Sequence, residues 1–291
     1  MFVGAETIFS AFISGVLIGS VYSLIAVGLA LIWGVMEIIN FALGDYMMLG
    51  AFITYWLYTL MGLDPLLSVP LAFATIFVAG IITQKGIIDR ILHAPMVSQI
   101  MATFALLLII RYGAEAVFGP FTRRIVVGYS DIILRIGGAS IPLTRGLAFI
   151  VSIIVALALY IFLTRTYTGI ALRAVAQNRE AAHLLGINVK RMYWLAFGLG
   201  VGIAAIGGSL LSTFYPIYPE MGAFFCLIAF ISVVLGGFGS IFGAYISGMI
   251  IGIIESISAL FIPPTLKDAV AFMIFLIILL FRPTGIFGTK I

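Results

Sequence analysis

The chain has 291 residues, 63% of them hydrophobic and 9% charged, with a formal net charge of +4, and its mean hydropathy is +1.27. An ordinary globular chain is roughly half apolar and about a quarter charged, so the polar surface here is too small to cover a soluble core. That excludes soluble enzymes, nucleic-acid binders and disordered scaffolds, and makes the fifteen basic residues topology determinants of an integral membrane protein.

A bilayer-spanning helix needs about 20 mostly apolar residues, and in hydrocarbon the backbone must satisfy its own hydrogen bonds. The apolar runs are continuous rather than alternating, which selects helices over a barrel. In chain order the spans are expected near Ile8–Trp33, Tyr46–Met61, Leu66–Thr83, Ser98–Phe118, Leu147–Leu163, Tyr193–Tyr215, Ala223–Leu235, Gly243–Ile262 and Ala269–Phe281. The fold class is therefore an all-α polytopic bundle with about nine (eight to ten) transmembrane helices, a single transmembrane domain over 1–291. No Lys or Arg precedes Lys85, so the first stretch reads as a span rather than a cleavable signal. The one cysteine, Cys226, allows no intrachain disulfide and no cysteine-based metal site.

Two connections are long. The one at 164–192 carries Arg165, Arg173, Arg179, Lys190 and Arg191 and is expected to be cytoplasmic by the positive-inside rule. Alternation then places the N-terminus outside, the C-terminus inside, and the other long connection, 119–146, outside. That outer loop is rich in Ile and Val, with Gly128, Gly137 and Gly138 as turn residues, and suits a small hairpin-like cap.

Polar residues at membrane depth are candidates for function. Glu37, Asn40 and Asp45 cluster where the first two spans meet at Gly34 and Gly44; a broken helix lining a cavity and a tight turn with the acids in water fit equally. Arg111 and Glu115, four apart on one helical face, are expected to form a structural ion pair. Glu255 has no basic neighbour in its own helix and is either a functional acid or a carboxyl hydrogen-bonded to another helix. Stripes of small residues (Gly15/Gly19/Ser23, Gly198/Gly202, Ala244/Gly248/Gly252) suit close helix packing. His93 and His183 lie in expected cytoplasmic loops without a second ligand at metal spacing, so no metal site is expected.

From Arg173 to Arg191 the expectation is a short helix, a turn and the start of the next span, with an apolar stripe at Leu172, Ala176, Ala182 and Leu185. Gly186, free to take a positive φ, would end the helix. Such a helix suits docking into a groove on a partner; lying on lipid headgroups is the alternative.

Glu180-Ala181-Ala182-x3-Gly186 resembles the coupling motif of ABC importer permeases, and the wider chain resembles the branched-chain amino-acid (Liv-type) ABC permease family, first-permease subunit. The blocks that carry it are Gly19 to Gly28, Ile39-Asn-Phe-Ala-Leu-Gly-Asp45 with Met48-Leu-Gly-Ala51, Leu184-Leu-Gly-Ile-Asn188, Leu235-Gly-Gly-x-Gly-Ser240 with Gly243, and Arg282-Pro-Thr-Gly-Ile-Phe-Gly288. Leu43 stands where the family usually has His, and Asp45 where it often has Glu. The resemblance implies a multi-pass protein of a prokaryotic plasma (inner) membrane with no catalytic residues. It would form half of a pathway for a small solute, branched-chain or other amino acids above all. The implied partners are a second permease (a paralogue or a second copy), two ATP-binding subunits and an extracytoplasmic solute-binding protein. ATP and Mg would bind those partners, and this chain would hold no cofactor. Arg173, Arg179, Glu180, Ala181, Ala182 and Gly186 would form the ATPase-coupling helix, and Glu37, Asn40, Asp45 and Glu255 are candidates for the pathway. A self-contained secondary transporter or channel working through its intramembrane carboxylates is the rival reading; it leaves the Glu180–Gly186 loop unexplained.

Overall fold

The structure, a computed structural model, describes residues 4–136, 139–263, 266–282 and 285–287. The expected turn glycines Gly137 and Gly138, and Pro283, Thr284, Gly288 and Lys290 of the C-terminal motif and tail, lie outside the described residues.

Each of the nine apolar stretches is helical. The helices are α1 (Ala5–Met36), α2 (Leu43–Met61), α3 (Pro65–Thr83), α4 (Met96–Phe118), α5 (Leu143–Arg165), α6 (Tyr167–Gln177), α7 (Arg179–Leu184), α8 (Val189–Leu211), α9 (Met221–Gly236), α10 (Ile241–Ser258) and α11 (Lys267–Phe281). α3 runs on through a π-helical turn, Gln84–Ile88, and a last α-turn, Asp89–Ile91. Among the described residues six helical stretches are long and apolar enough to cross a membrane: Glu6–Met36, Pro65–Ile91, Met96–Phe118, Leu143–Arg165, Val189–Leu211 and Ile241–Ser258.

Helix ends follow local chemistry. Asp64 caps α3 by accepting the Leu66 N–H at 2.8 Å, ahead of a proline in the first turn, where a missing N–H costs nothing. Asn188 caps α8 through the Arg191 N–H, and Ser240 caps α10 through the Gly243 N–H.

α1 is apolar on every side, the pattern of a buried helix, and it packs on α5, α8, α9 and α10. Its small-residue stripe lies against that of α10: a Cβ added to Gly252 would fall on the Gly19 backbone, and one on Gly248 would fall on Ser23. These stripes are packing surfaces, as the spacing predicts. α8 is likewise largely enclosed. α4 and α5 turn large apolar side chains outward, among them Met101, Ile109, Ile154 and Leu157, the reverse of a soluble surface.

The outer-loop hairpin forms: β1 (Ile133–Ile136) pairs antiparallel with β2 (Ala139–Pro142), Leu134 opposite Ile141. The preceding segment does not extend that sheet. Arg123 instead bridges Ile217, in the connection between α8 and α9, and Tyr129 donates to the Asp64 carboxylate at 3.1 Å. Burial, reinforced by that carboxylate, pushes the Tyr129 phenol up to about 12, so it stays a donor.

Candidate functional site

α1 ends at Met36, and Glu37 closes it in the left-handed region at φ 58° with its N–H on the Trp33 carbonyl. The chain then runs without helix to Leu43. Cys226 Sγ contacts the Phe41 carbonyl at 3.2 Å and Thr103 donates to the Ile39 carbonyl at 2.9 Å, so protein groups take up the free backbone acceptors, as depth in a membrane requires. Asn40 is fully buried; its Oδ1 accepts the Ala42 N–H at 3.1 Å, a local turn bond, while its Nδ2 has no partner among the described residues. Leu43 is fully buried too.

The polar residues expected to gather at this break do not share one environment. Glu37 is exposed and lines a cavity of about 300 Å³ with Gln177, Asn178, Arg179 and Glu180, on the side of the basic loop. Asp45 is fully buried in the first turn of α2. Arg111 of α4 reaches it with two bonds, Nε to Oδ1 at 3.0 Å and Nη2 to Oδ2 at 3.2 Å.

This corrects the expected Arg111–Glu115 pair. The ion pair among the described residues is Arg111–Asp45. A fully buried carboxylate has no water to fall back on, so it takes the guanidinium, and the planar fork satisfies both its oxygens. Glu115 is only half-buried and does not need Arg111. Glu255, 7% exposed, accepts a hydrogen bond from Tyr22 of α1 at 2.8 Å, an interhelical contact of the kind an intramembrane acid requires.

The basic loop is two helices rather than one. Asn178 leaves helical geometry at φ −157°, and its Oδ1 accepts the N–H groups of Glu180 and Ala181 at 3.0 and 2.9 Å, capping α7. The break dissolves the expected apolar stripe: Leu172 and Ala182 are buried, Ala176 and Leu185 exposed. Gly186 follows at φ 84° with its N–H on the His183 carbonyl at 3.0 Å. Arg173, Arg179, Glu180 and Ala181 are all exposed. At the tip, Leu184 and Leu185 are 87% and 81% exposed. These two adjacent leucines, almost free of protein, make an exposed apolar knob in a loop whose sequence is basic.

The base of α8, just beyond this loop, is tied to the π-turn of α3. Trp194 Nε1 donates to Asp89 Oδ2 at 2.8 Å, Gln84 Nε2 to Asp89 Oδ1 at 2.9 Å, and the Lys85 ammonium sits 4.1 Å from the Trp194 ring centroid. Sequence reading missed this joint. It also missed the Leu184–Leu185 knob, for which a leucine doublet in an otherwise polar turn is the legible signal.

Fold and site together define a multi-pass helical membrane protein with a buried acid paired to an arginine across two of its helices and an exposed basic loop between α5 and α8. The family model for the permease component of branched-chain amino acid transport systems matches residues 11–279. The chain is 35% identical over 295 residues to the high-affinity branched-chain amino acid transport system permease protein LivH of Escherichia coli K12, covering 94% of each chain. It is 34% identical over 293 residues to the corresponding permease protein BraD of Pseudomonas aeruginosa, with 95% and 94% covered. To the probable branched-chain amino acid transport permease protein LivH of Methanocaldococcus jannaschii it is 29% identical over 290 residues, with 91% and 88% covered. Among solved structures, PsaBC from Streptococcus pneumoniae in complex with Fab shares the fold at a TM-score of 0.51 and 12% identity, over 93% of this chain and 91% of that one. The chain belongs to the family of branched-chain amino acid transport system permease components.

Proposed function

We propose that this chain is the permease subunit of an ATP-driven importer of branched-chain amino acids in a prokaryotic inner membrane, with its N-terminus outside and its C-terminus inside. Nine membrane helices form one transmembrane domain, with 119–146 facing out and 164–192 facing in. The observation that carries the ATP-driven part is the exposed Leu184–Leu185 pair at the end of α7, in a loop that also carries Arg179, Lys190 and Arg191. Apolar side chains this free, on a short helix fixed by Asn178 and Gly186, suit a groove on a cytoplasmic partner.

In this reading two ATP-binding subunits hold ATP and Mg, and this chain contributes no catalytic group. A second permease, paralogue or copy, completes the pathway, and an extracytoplasmic binding protein delivers the solute. The partners shift the pore between two states through their differing affinity for each. α7 receives the displacement, and the Asp89–Trp194 joint carries it from the base of α8 into α3. Arg179, Glu180, Ala181 and Gly186 form the docking element, with the buried Ala182 seating α7 on the chain and the exposed Arg173 on α6, across the Asn178 break. Asp45 and Glu255 act on the pathway through the helices they join, α2 to α4 and α10 to α1, with Asn40 fixing the backbone between α1 and α2 and Glu37 facing the docking loop. Co-purification of the tagged chain from its native membrane tests this reading: two ATP-binding subunits should come down with it, and recovery of the chain with no ATPase would refute it.

A further inference from the structure

On the side of the β1–β2 hairpin, the loop before it, the start of α5 and the end of α8 enclose a cavity of about 370 Å³, within the range of roughly 300–1,000 Å³ usual for small-molecule sites. Its walls carry both signs of charge. Arg145, half-buried in the first turn of α5 with its guanidinium 5.6 Å from the Phe214 ring centroid, stands on one wall, and the exposed Asp131 lines the same space. The two do not pair with each other: among the described residues the ion pair is Asp45–Arg111. The exposed Arg124 also lines the cavity and makes no ion pair among those residues.

Ser212 and Thr213 spend their hydroxyl protons on the Ser209 and Leu210 carbonyls, at 2.6 and 2.8 Å. Both residues line the cavity, and with their protons committed their hydroxyl oxygens can act there only as acceptors. Phe214 and Tyr215 supply apolar wall. The Arg145 guanidinium has the Phe214 ring and Tyr22 as neighbours and makes no ion pair among the described residues, so it can take a ligand carboxylate. A cation and an anion that make no ion pair among the described residues, acceptor oxygens, and an aromatic wall around one small cavity complement a zwitterion with a hydrocarbon tail.

We propose that this cavity is an entry subsite for an α-amino acid with an aliphatic side chain. Arg145 takes the carboxylate, Asp131 with the Ser212 and Thr213 oxygens takes the ammonium, and Phe214 and Tyr215 take the hydrocarbon. The proposal rests on the reading of the chain as an amino-acid permease and adds a place where the solute is held after it leaves the binding protein.

The test is equilibrium binding of labelled L-leucine to the assembled transporter in lipid nanodiscs without binding protein, with 4-methylpentanoate (no ammonium) and isopentylamine (no carboxylate) as competitors. Losing one charge-assisted contact should weaken binding about tenfold. Arg145→Gln should weaken leucine and 4-methylpentanoate by that factor and leave isopentylamine unchanged; Arg145→Lys should recover part of the loss. Asp131→Asn should weaken leucine and isopentylamine and spare 4-methylpentanoate. Leucine affinity unchanged in both variants, equal loss of all three probes, or no saturable leucine binding to the wild type would each overturn the proposal. If Arg145→Gln does not assemble, the surface variant Asp131→Asn and competition on the wild type decide: each half-ligand must compete at least about tenfold less well than leucine, and equal competition by all three overturns it. Failure of the underlying reading shows separately, as absence of leucine-stimulated ATP hydrolysis when the binding protein is present.

Discussion

Asp45 and Arg111 each stand in an apolar helix, and each makes the other tolerable. Removing one partner of a buried pair strands the remaining charge, at a cost of about 3–5 kcal/mol, whereas replacing both is often close to neutral. Asp45→Asn should therefore lower the melting temperature and folded yield of the detergent-solubilised protein, and Asp45→Asn with Arg111→Gln should recover most of the loss. A single variant as stable as the wild type, or a double variant no better than the single, would show that Arg111 does not depend on Asp45. Both residues are legible in the sequence as intramembrane charges, but their pairing is not. Spacing along a helix points to Glu115, four residues on, because local periodicity is all that a linear reading holds. The true partner is 66 positions away, brought there by the packing of α2 on α4. The signal available was arithmetic: an intramembrane acid and an intramembrane base, each in need of compensation. Glu255 shows the same limit, since an uncharged partner such as Tyr22 leaves no mark of charge to search for.

The basic loop is the element most exposed to a single backbone change. Gly186 holds φ 84° and donates its N–H to His183. Proline can do neither, since its ring fixes φ near −65° and it has no N–H. Gly186→Pro should uncouple transport from ATP hydrolysis in the reconstituted complex while leaving membrane insertion intact. Gly186→Ala, which meets no neighbouring atom but strains the left-handed backbone by about 1–2 kcal/mol, should give a partial defect. Tight, substrate-stimulated hydrolysis in the proline variant would mean that the Leu185–Asn188 turn does not set the dock. The existence of this element, its basic character and the positive φ of Gly186 follow from sequence alone. The division at Asn178 does not: Asn is tolerated inside a helix, and only the observed cap, with one side-chain oxygen serving two N–H groups, shows that it prefers to start a new one. The apolar stripe misled for the same reason, since periodicity carried across a break assigns residues to faces they do not share.

For the molecule as a whole, the nine apolar stretches and the small-residue stripes were readable because membrane helices obey strong rules of length and close approach. What crosses between helices was not: the Asp89–Trp194 joint, the Arg123–Ile217 bridge and the cavity beneath the hairpin depend on how the helices sit together. Orientation is tested with an impermeant maleimide on intact cells. Gly128→Cys should label from outside, and His183→Cys only after permeabilisation; the native Cys226 is buried and should stay silent. The reverse pattern would invert the topology and remove the basic loop from the ATP-bearing side.

The central claim is that the Leu184–Leu185 knob grips an ATPase. It is tested most directly by leucine-stimulated ATP hydrolysis in the reconstituted transporter with its binding protein, comparing the wild type with Leu184→Ser/Leu185→Ser. These side chains are almost fully exposed, so the change should leave the fold of the chain intact, as the melting temperature of the isolated subunit will show. Fully burying a leucine stabilises by about 1.5–3 kcal/mol, so loss of two at a docking surface should cut stimulated hydrolysis and recovery of the ATP-binding subunits by tenfold or more. Stimulation and subunit recovery equal to the wild type would contradict the claim.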